Sequence, residues 1–138
     1  MWILYGFLSA LTAALMTIVG KIGLQNIDPT FATGIRSFIM FLFMMFVVLF
    51  SGKLKDFSTL DQKALWIIVT SAIFGALSWL FYFLALRSGP TSKVAALDRS
   101  SLILVILFSV LFLSEKMSLK LGLGTLLASI GILLITLA

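Results

Sequence analysis

The chain has 138 residues, of which 62% are hydrophobic and 11% charged, with a net charge of +5 and a mean hydropathy of +1.23. Soluble domains are close to half apolar, and one this small cannot bury so much Leu, Ile, Phe and Met. The surplus requires an apolar solvent, so the class is integral membrane, and the length is that of one domain, residues 1–138.

The Lys and Arg residues stand singly between apolar segments, not in a basic run. That pattern fits basic loops of a membrane protein and carries no expectation of a nucleic-acid partner. The absence of Cys and His removes disulfides, thiol chemistry, and the commonest metal ligand and general base. No metal or cofactor is expected, and an enzyme is the weakest functional class.

Crossing the hydrocarbon core takes about 20 helical residues. Five segments qualify, near 2–20, 31–50, 64–86, 92–113 and 119–137, which predicts an all-α bundle of five transmembrane helices. Residues 1–8 (MWILYGFL) lack the positive start of a cleavable signal, so the first segment reads as a retained span. The connections carry turn residues: NIDP at 26–29, SGK at 51–53, SGP at 88–90 and SEK at 114–116. Pro29 and Pro90 precede new helices, where a missing N–H costs little.

The first segment places Ala10, Ala13, Ala14, Thr17 and Gly20 at helical spacing, and the last places Gly124, Ala128 and Gly131. Small residues three and four apart let membrane helices approach closely. They serve packing within the bundle or a seam between two copies.

In the second segment Arg36 lies roughly one turn inside, on the side of Thr33. It either snorkels to the headgroups or faces the bundle and holds an anion or a carboxylate. In the third, Ser71, Gly75, Ser78 and Tyr82 recur at four, three and four residues and share a face, with Trp79 beside it. Trp2 and Trp66 fit an interfacial belt; Trp79 lies deeper and either packs or lines a cavity.

The fourth segment opens with KVAALDRSSL at 93–102. Asp98 lies about 8 Å deeper than Lys93, where an unpaired charge costs about 2–3 kcal/mol on insertion scales. Asp98 and Ser101 share a face, while Arg99 is turned about 100° away. Neighbours in sequence do not face each other on a helix, so each charge needs a partner elsewhere, such as Arg36 for Asp98. A structural ion pair and a polar transport lining are both open.

These stretches together resemble the EamA-type domain of the drug/metabolite transporter superfamily, in its five-span bacterial and archaeal branch. The resemblance covers nearly the whole chain. It is carried by KIGLQNIDPTFATGIR at 21–36, SWLFYFLALRSGPTSKVAALDRSS at 78–101 and FLSEKMSLKLG at 112–122. It implies a five-helix domain that forms half of an inverted-repeat transporter. It also marks Lys21, Arg36, Trp79, Tyr82, Lys93, Asp98, Arg99 and Glu115 as family positions. The chain departs from that pattern at Ala96, where Pro is frequent, at Leu84 and Arg99, where Lys or a basic residue is, and at Ser114, where Gly is. Without the proline, the fourth helix is expected to run straighter.

The resulting expectation is a secondary transporter of a small metabolite, an amino acid, organic acid or similar, in a cytoplasmic membrane. Its pathway is assigned to Arg36, Ser78, Trp79, Tyr82, Asp98, Arg99 and Ser101. Asp98, the one acid within a span, is the candidate for coupling. The alternative is a non-transporting subunit or partner of another half-transporter. With the N-terminus inside, Lys53, Lys55, Lys63, Lys116 and Lys120 are cytoplasmic, against Lys21, Arg87, Lys93, Arg36 and Arg99 outside: five against five. Leaving out the two arginines placed inside spans, the count is five to three and favours the N-terminus inside by a narrow margin. Such balance allows insertion both ways, and hence a homodimer with antiparallel pairing open. Reporter fusions at each terminus are expected to report opposite sides of the membrane; the same side for both would remove one span.

Overall fold

The computed structural model describes the backbone of residues 1–138 and the side chains of all but 56–58. It contains α1 (Trp2–Gly23), α2 (Pro29–Phe50), a 3₁₀ segment (Lys53–Thr59), α3 (Gln62–Ser88), α4 (Thr91–Asp98), α5 (Ser101–Phe112) and α6 (Leu119–Leu137). Among the described residues, taking α4 and α5 as one segment, five helical spans are long and apolar enough to cross a membrane. Helices are the natural solution there, because every backbone group must find its partner without water. Hydroxyls follow the same logic. Thr17, Thr33, Ser37, Thr70, Thr125, Ser129 and Thr136 each donate to the carbonyl four residues back, at 2.7–2.9 Å, which hides the hydroxyl from lipid.

The chain forms two compact units. One comprises Met1–Lys21 with Ser88–Ala138, the other Ile22–Arg87. In the first, α4 packs on α6, and Thr17 and Ala96 are buried. Lys21 Nζ donates to the Gly89 carbonyl at 3.0 Å, across 68 residues of sequence. Lys21 thereby fastens α1 to the turn that precedes α4. In the second unit, Leu24, Pro29, Thr33, Phe83 and Leu86 are buried.

Asp28 sets the start of α2. Its carboxylate accepts from the Thr30 and Phe31 amides at 2.9 and 3.0 Å, and Pro29 takes the first helical position, where its missing N–H costs nothing. Helix α2 therefore begins at Pro29 and not near 31, and Arg36 lies two turns inside rather than one. At the other end Gly52, with φ +66°, closes α2 by donating to the Leu49 carbonyl at 3.2 Å, the left-handed cap that glycine adopts most readily. Ser118 caps α6 through the Leu121 amide at 3.1 Å.

The fourth span departs from a regular helix. The segment 92–113 is not one uninterrupted helix, and the lack of a proline at 96 does not keep it regular. Helix α4 ends at Asp98 and α5 starts at Ser101. Between them the amides of Ser100, Leu102 and Ile103 bond to carbonyls three residues back, all at 3.0 Å. This is a turn of 3₁₀ geometry inside a span. Ala96 is buried, and the joint lies two residues past it, at Asp98, Ser100 and Ser101, residue types that lower helix propensity. On α6 the glycines have open space in front of them. A Cβ built on Gly124 or Gly131 would meet nothing within 4 Å, so neither glycine marks a close approach inside this chain. Ala128 on α6 and Gly20 on α1 are partly covered.

Ser114, just past the end of α5, holds φ +55°, in a conformation that costs a non-glycine residue about 1–2 kcal/mol. Ser114→Gly removes that strain, against roughly 0.5–1 kcal/mol of added chain entropy. A small net rise in the thermal unfolding midpoint in detergent is the expected outcome; a fall would show that the serine side chain contributes more than its strained backbone costs.

Candidate functional site

The site is built in the unit Ile22–Arg87, from α2 and α3. On α3, Trp79, Tyr82 and Phe83 stand three and four residues apart, the spacing at which helical side chains touch. The Trp79 ring lies 6.0 Å from that of Tyr82, edge-on at 86°, and 6.1 Å from that of Phe83. Tyr82 and Phe83 meet at 6.0 Å. Phe83, 3% exposed, anchors this aromatic corner.

Arg36 reaches into it from α2. Its guanidinium carbon sits 3.8 Å above the centre of the Trp79 ring and 5.0 Å from that of Phe83. Seven residues separate Arg36 from the first residue of α2, about 10 Å along the axis. The guanidinium is partly covered there, and the quadrupoles of two aromatic rings replace part of its hydration, at about 0.5–2 kcal/mol. Arginine suits the position because its planar group stacks by one face while its N–H bonds point outward around the edge. Thr33, one turn before, is buried with its hydroxyl on the Pro29 carbonyl at 2.7 Å. Near one end of α2, Arg87 on α3 stands 3.8 Å from Asp28, with both side chains more than half exposed. This pair aligns the helix ends and contributes little energy.

The structure thus brings together Arg36, Trp79 and Tyr82. Ser78 shares α3 but points away from the aromatic corner and is exposed, as is Ser71, while Gly75 and Tyr82 are partly covered. The covered face of α3 is set by its bulky aromatics, about one residue round from the predicted hydroxyl stripe. Phe83 is the residue that sequence reasoning missed. Its i+4 relation to Trp79 was the available signal, but in a helix apolar on every side it did not stand out.

Asp98, Arg99 and Ser101 belong to the other unit and cluster at the joint between α4 and α5. Asp98 is partly covered, whereas Arg99 and Ser101 are exposed. Within that unit, no ion pair or hydrogen bond to the Asp98 or Arg99 side chain occurs among the described residues. Among them there is also no group of three metal-ligating side chains.

The sequence model of the EamA-like transporter family matches residues 1–137. The chain belongs to that family. A relative from a Sinorhizobium species, an uncharacterized transporter in the cobO 3′ region, is 34% identical over 134 residues, covering 97% of this chain and 95% of that protein. An uncharacterized protein of Methanocaldococcus jannaschii is 27% identical over 136 residues, covering 99% and 96%. No solved structure shows significant similarity. Five apolar spans and this membership make the protein an integral membrane transporter.

If the stack holds α2 to α3, Arg36→Lys and Trp79→Leu should each lower the unfolding midpoint, by the equivalent of about 1 kcal/mol. Combined, they should cost clearly less than the two losses added together. Simple additivity in that double-mutant cycle would mean the two side chains do not act on each other.

Proposed function

We propose that this EamA-like protein is a secondary transporter of a small anionic or zwitterionic metabolite, such as an amino acid or organic acid, and that it works as a dimer. The observation that carries the reading is Arg36. A guanidinium held by one face against Trp79 and Phe83 keeps a fixed orientation, and its N–H edge suits the two oxygens of a carboxylate. Surrounding aromatic rings supply the apolar wall expected of a small-molecule site.

Two further features support the reading. No more than 11% of the most apolar stretch of any span is buried, and Gly124 and Gly131 have open space before them, as suits a half that completes itself with a second copy. An inverted pair of such halves would create the two-fold arrangement on which many secondary transporters rely. The 3₁₀ joint at Arg99–Ser100 lies inside a span beside Asp98, and mid-helix breaks of this kind serve as hinges. Asp98, Arg99, Ser101 and Ser78 are proposed as the remaining pathway positions, with Asp98 as the proton carrier if transport is proton-coupled. The cytoplasmic membrane of a bacterium or archaeon, with the N-terminus inside, is the proposed setting.

Purified protein is first melted with single amino acids and dicarboxylates, since a bound substrate raises the midpoint by mass action; uptake of the best ligand into proteoliposomes follows. Arg36→Gln should reduce uptake at least tenfold, since a hydrogen bond to a charged group contributes about 1.5–3 kcal/mol. Asp98→Asn should abolish the response to an imposed proton gradient while ligand still binds. Full uptake by the Arg36 variant would sink the anion site, and an undiminished gradient response would remove Asp98 from coupling.

A further inference from the structure

Away from the aromatic corner, an open groove runs along the first half of α3, lined by Lys63, Trp66, Ile67, Thr70, Ser71 and Phe74. Their spacing of three, one, three, one and three residues is a single continuous helix face. Trp66, Ile67 and Phe74 form the walls, with Trp66 64% and Phe74 68% exposed. The small side chains of Thr70 and Ser71 leave the depression between them. Thr70 turns its hydroxyl onto the Trp66 carbonyl at 2.8 Å, so much of the floor presents carbon.

We propose that this groove seats one anionic phospholipid, with its phosphate at Lys63 and an acyl chain lying toward Phe74. Length is the first argument. Eleven residues of helix separate Lys63 from Phe74, about 16 Å, which is half of a hydrocarbon core roughly 30 Å thick. The groove therefore has the length of one leaflet. Polarity is the second. Its single cation stands at one end, in the first turn of α3 beside the 3₁₀ segment, and the Trp66 indole follows one turn deeper, the order in which headgroup phosphate and indole occur at a membrane surface. Charge is the third. Residues 51–63 hold Lys53, Lys55 and Lys63 against Asp56 and Asp61, an excess of one positive charge at the headgroup end. A second copy of the chain would bring an apolar helix to this face and would have no use for a cation at its end. This inference is independent of the substrate and of Arg36.

The test is native mass spectrometry of the full-length protein in detergent, with equal amounts of palmitoyl-oleoyl phosphatidylglycerol and phosphatidylcholine. One phosphatidylglycerol should be retained at least tenfold over phosphatidylcholine. Lys63→Gln should abolish that preference, Lys63→Arg should keep it, and Phe74→Ala should weaken retention of both lipids. Glycerol phosphate, the headgroup without chains, should not compete at the same concentration. The proposal is overturned by equal retention of the two lipids, by an unchanged preference in Lys63→Gln, or by competition from glycerol phosphate alone. It is also overturned if Ser71→Cys forms an intermolecular disulfide in most of the protein, which would put a second copy on this face.

Discussion

A guanidinium two turns inside a membrane helix is the constraint around which the unit Ile22–Arg87 is arranged. Lipid offers an arginine no hydrogen bonds, so one carried inside a membrane helix needs compensation from the protein. Trp79 and Phe83 supply it from α3. That explains why the heavy aromatics of α3 turn toward α2 while the hydroxyls of Ser71 and Ser78 do not. It also explains the cap at Asp28: by starting α2 at Pro29, it fixes how far inward Arg36 is carried. Cap, depth and aromatic corner are therefore one coupled arrangement, in which moving the helix start by a turn would leave the guanidinium off its platform.

The other unit meets the same solvent differently. Two of its in-span charges, Asp98 and Arg99, stand where the helix itself changes geometry, at the joint between α4 and α5. Helix α4 is held on α6, whereas none of the residues of α5 is buried. The two units thus differ: one stacks a cation on aromatic rings, and the other sets two charges where the backbone is least regular.

Much of this was legible in the sequence, and the parts that were not share a cause. The five spans followed from apolar runs and turn residues, because length and hydropathy alone decide whether a helix can cross. Caps shift boundaries by a turn, and the shift at Asp28 moved Arg36 from one turn deep to two. The joint at Arg99–Ser100 was hidden because no proline or glycine marks it and the apolar pattern runs on past it. Phe83 and the bond from Lys21 to Gly89 depend on which faces meet, and in a chain apolar on all sides the periodicity that reveals facing surfaces in soluble proteins is nearly absent. Ser114, by contrast, stands where the family resemblance expects glycine, and its positive φ gives that preference a physical reason.

The bond from Lys21 to Gly89 has a bearing on how the protein is made. Lys21 is the last residue of the first stretch of its unit, and Gly89 is the second residue of the returning stretch. Between them, Ile22–Arg87 form the other unit. Helix α1 therefore leaves the ribosome well before its partners exist. At about 5–20 residues per second, the 68 residues to Gly89 take roughly 3–14 s. During that interval α1 sits in the bilayer with the helices it packs among still unmade, while α2 and α3 can already find each other. Assembly of the protein is thus ordered by synthesis, with the inserted unit complete before the one that encloses it in sequence.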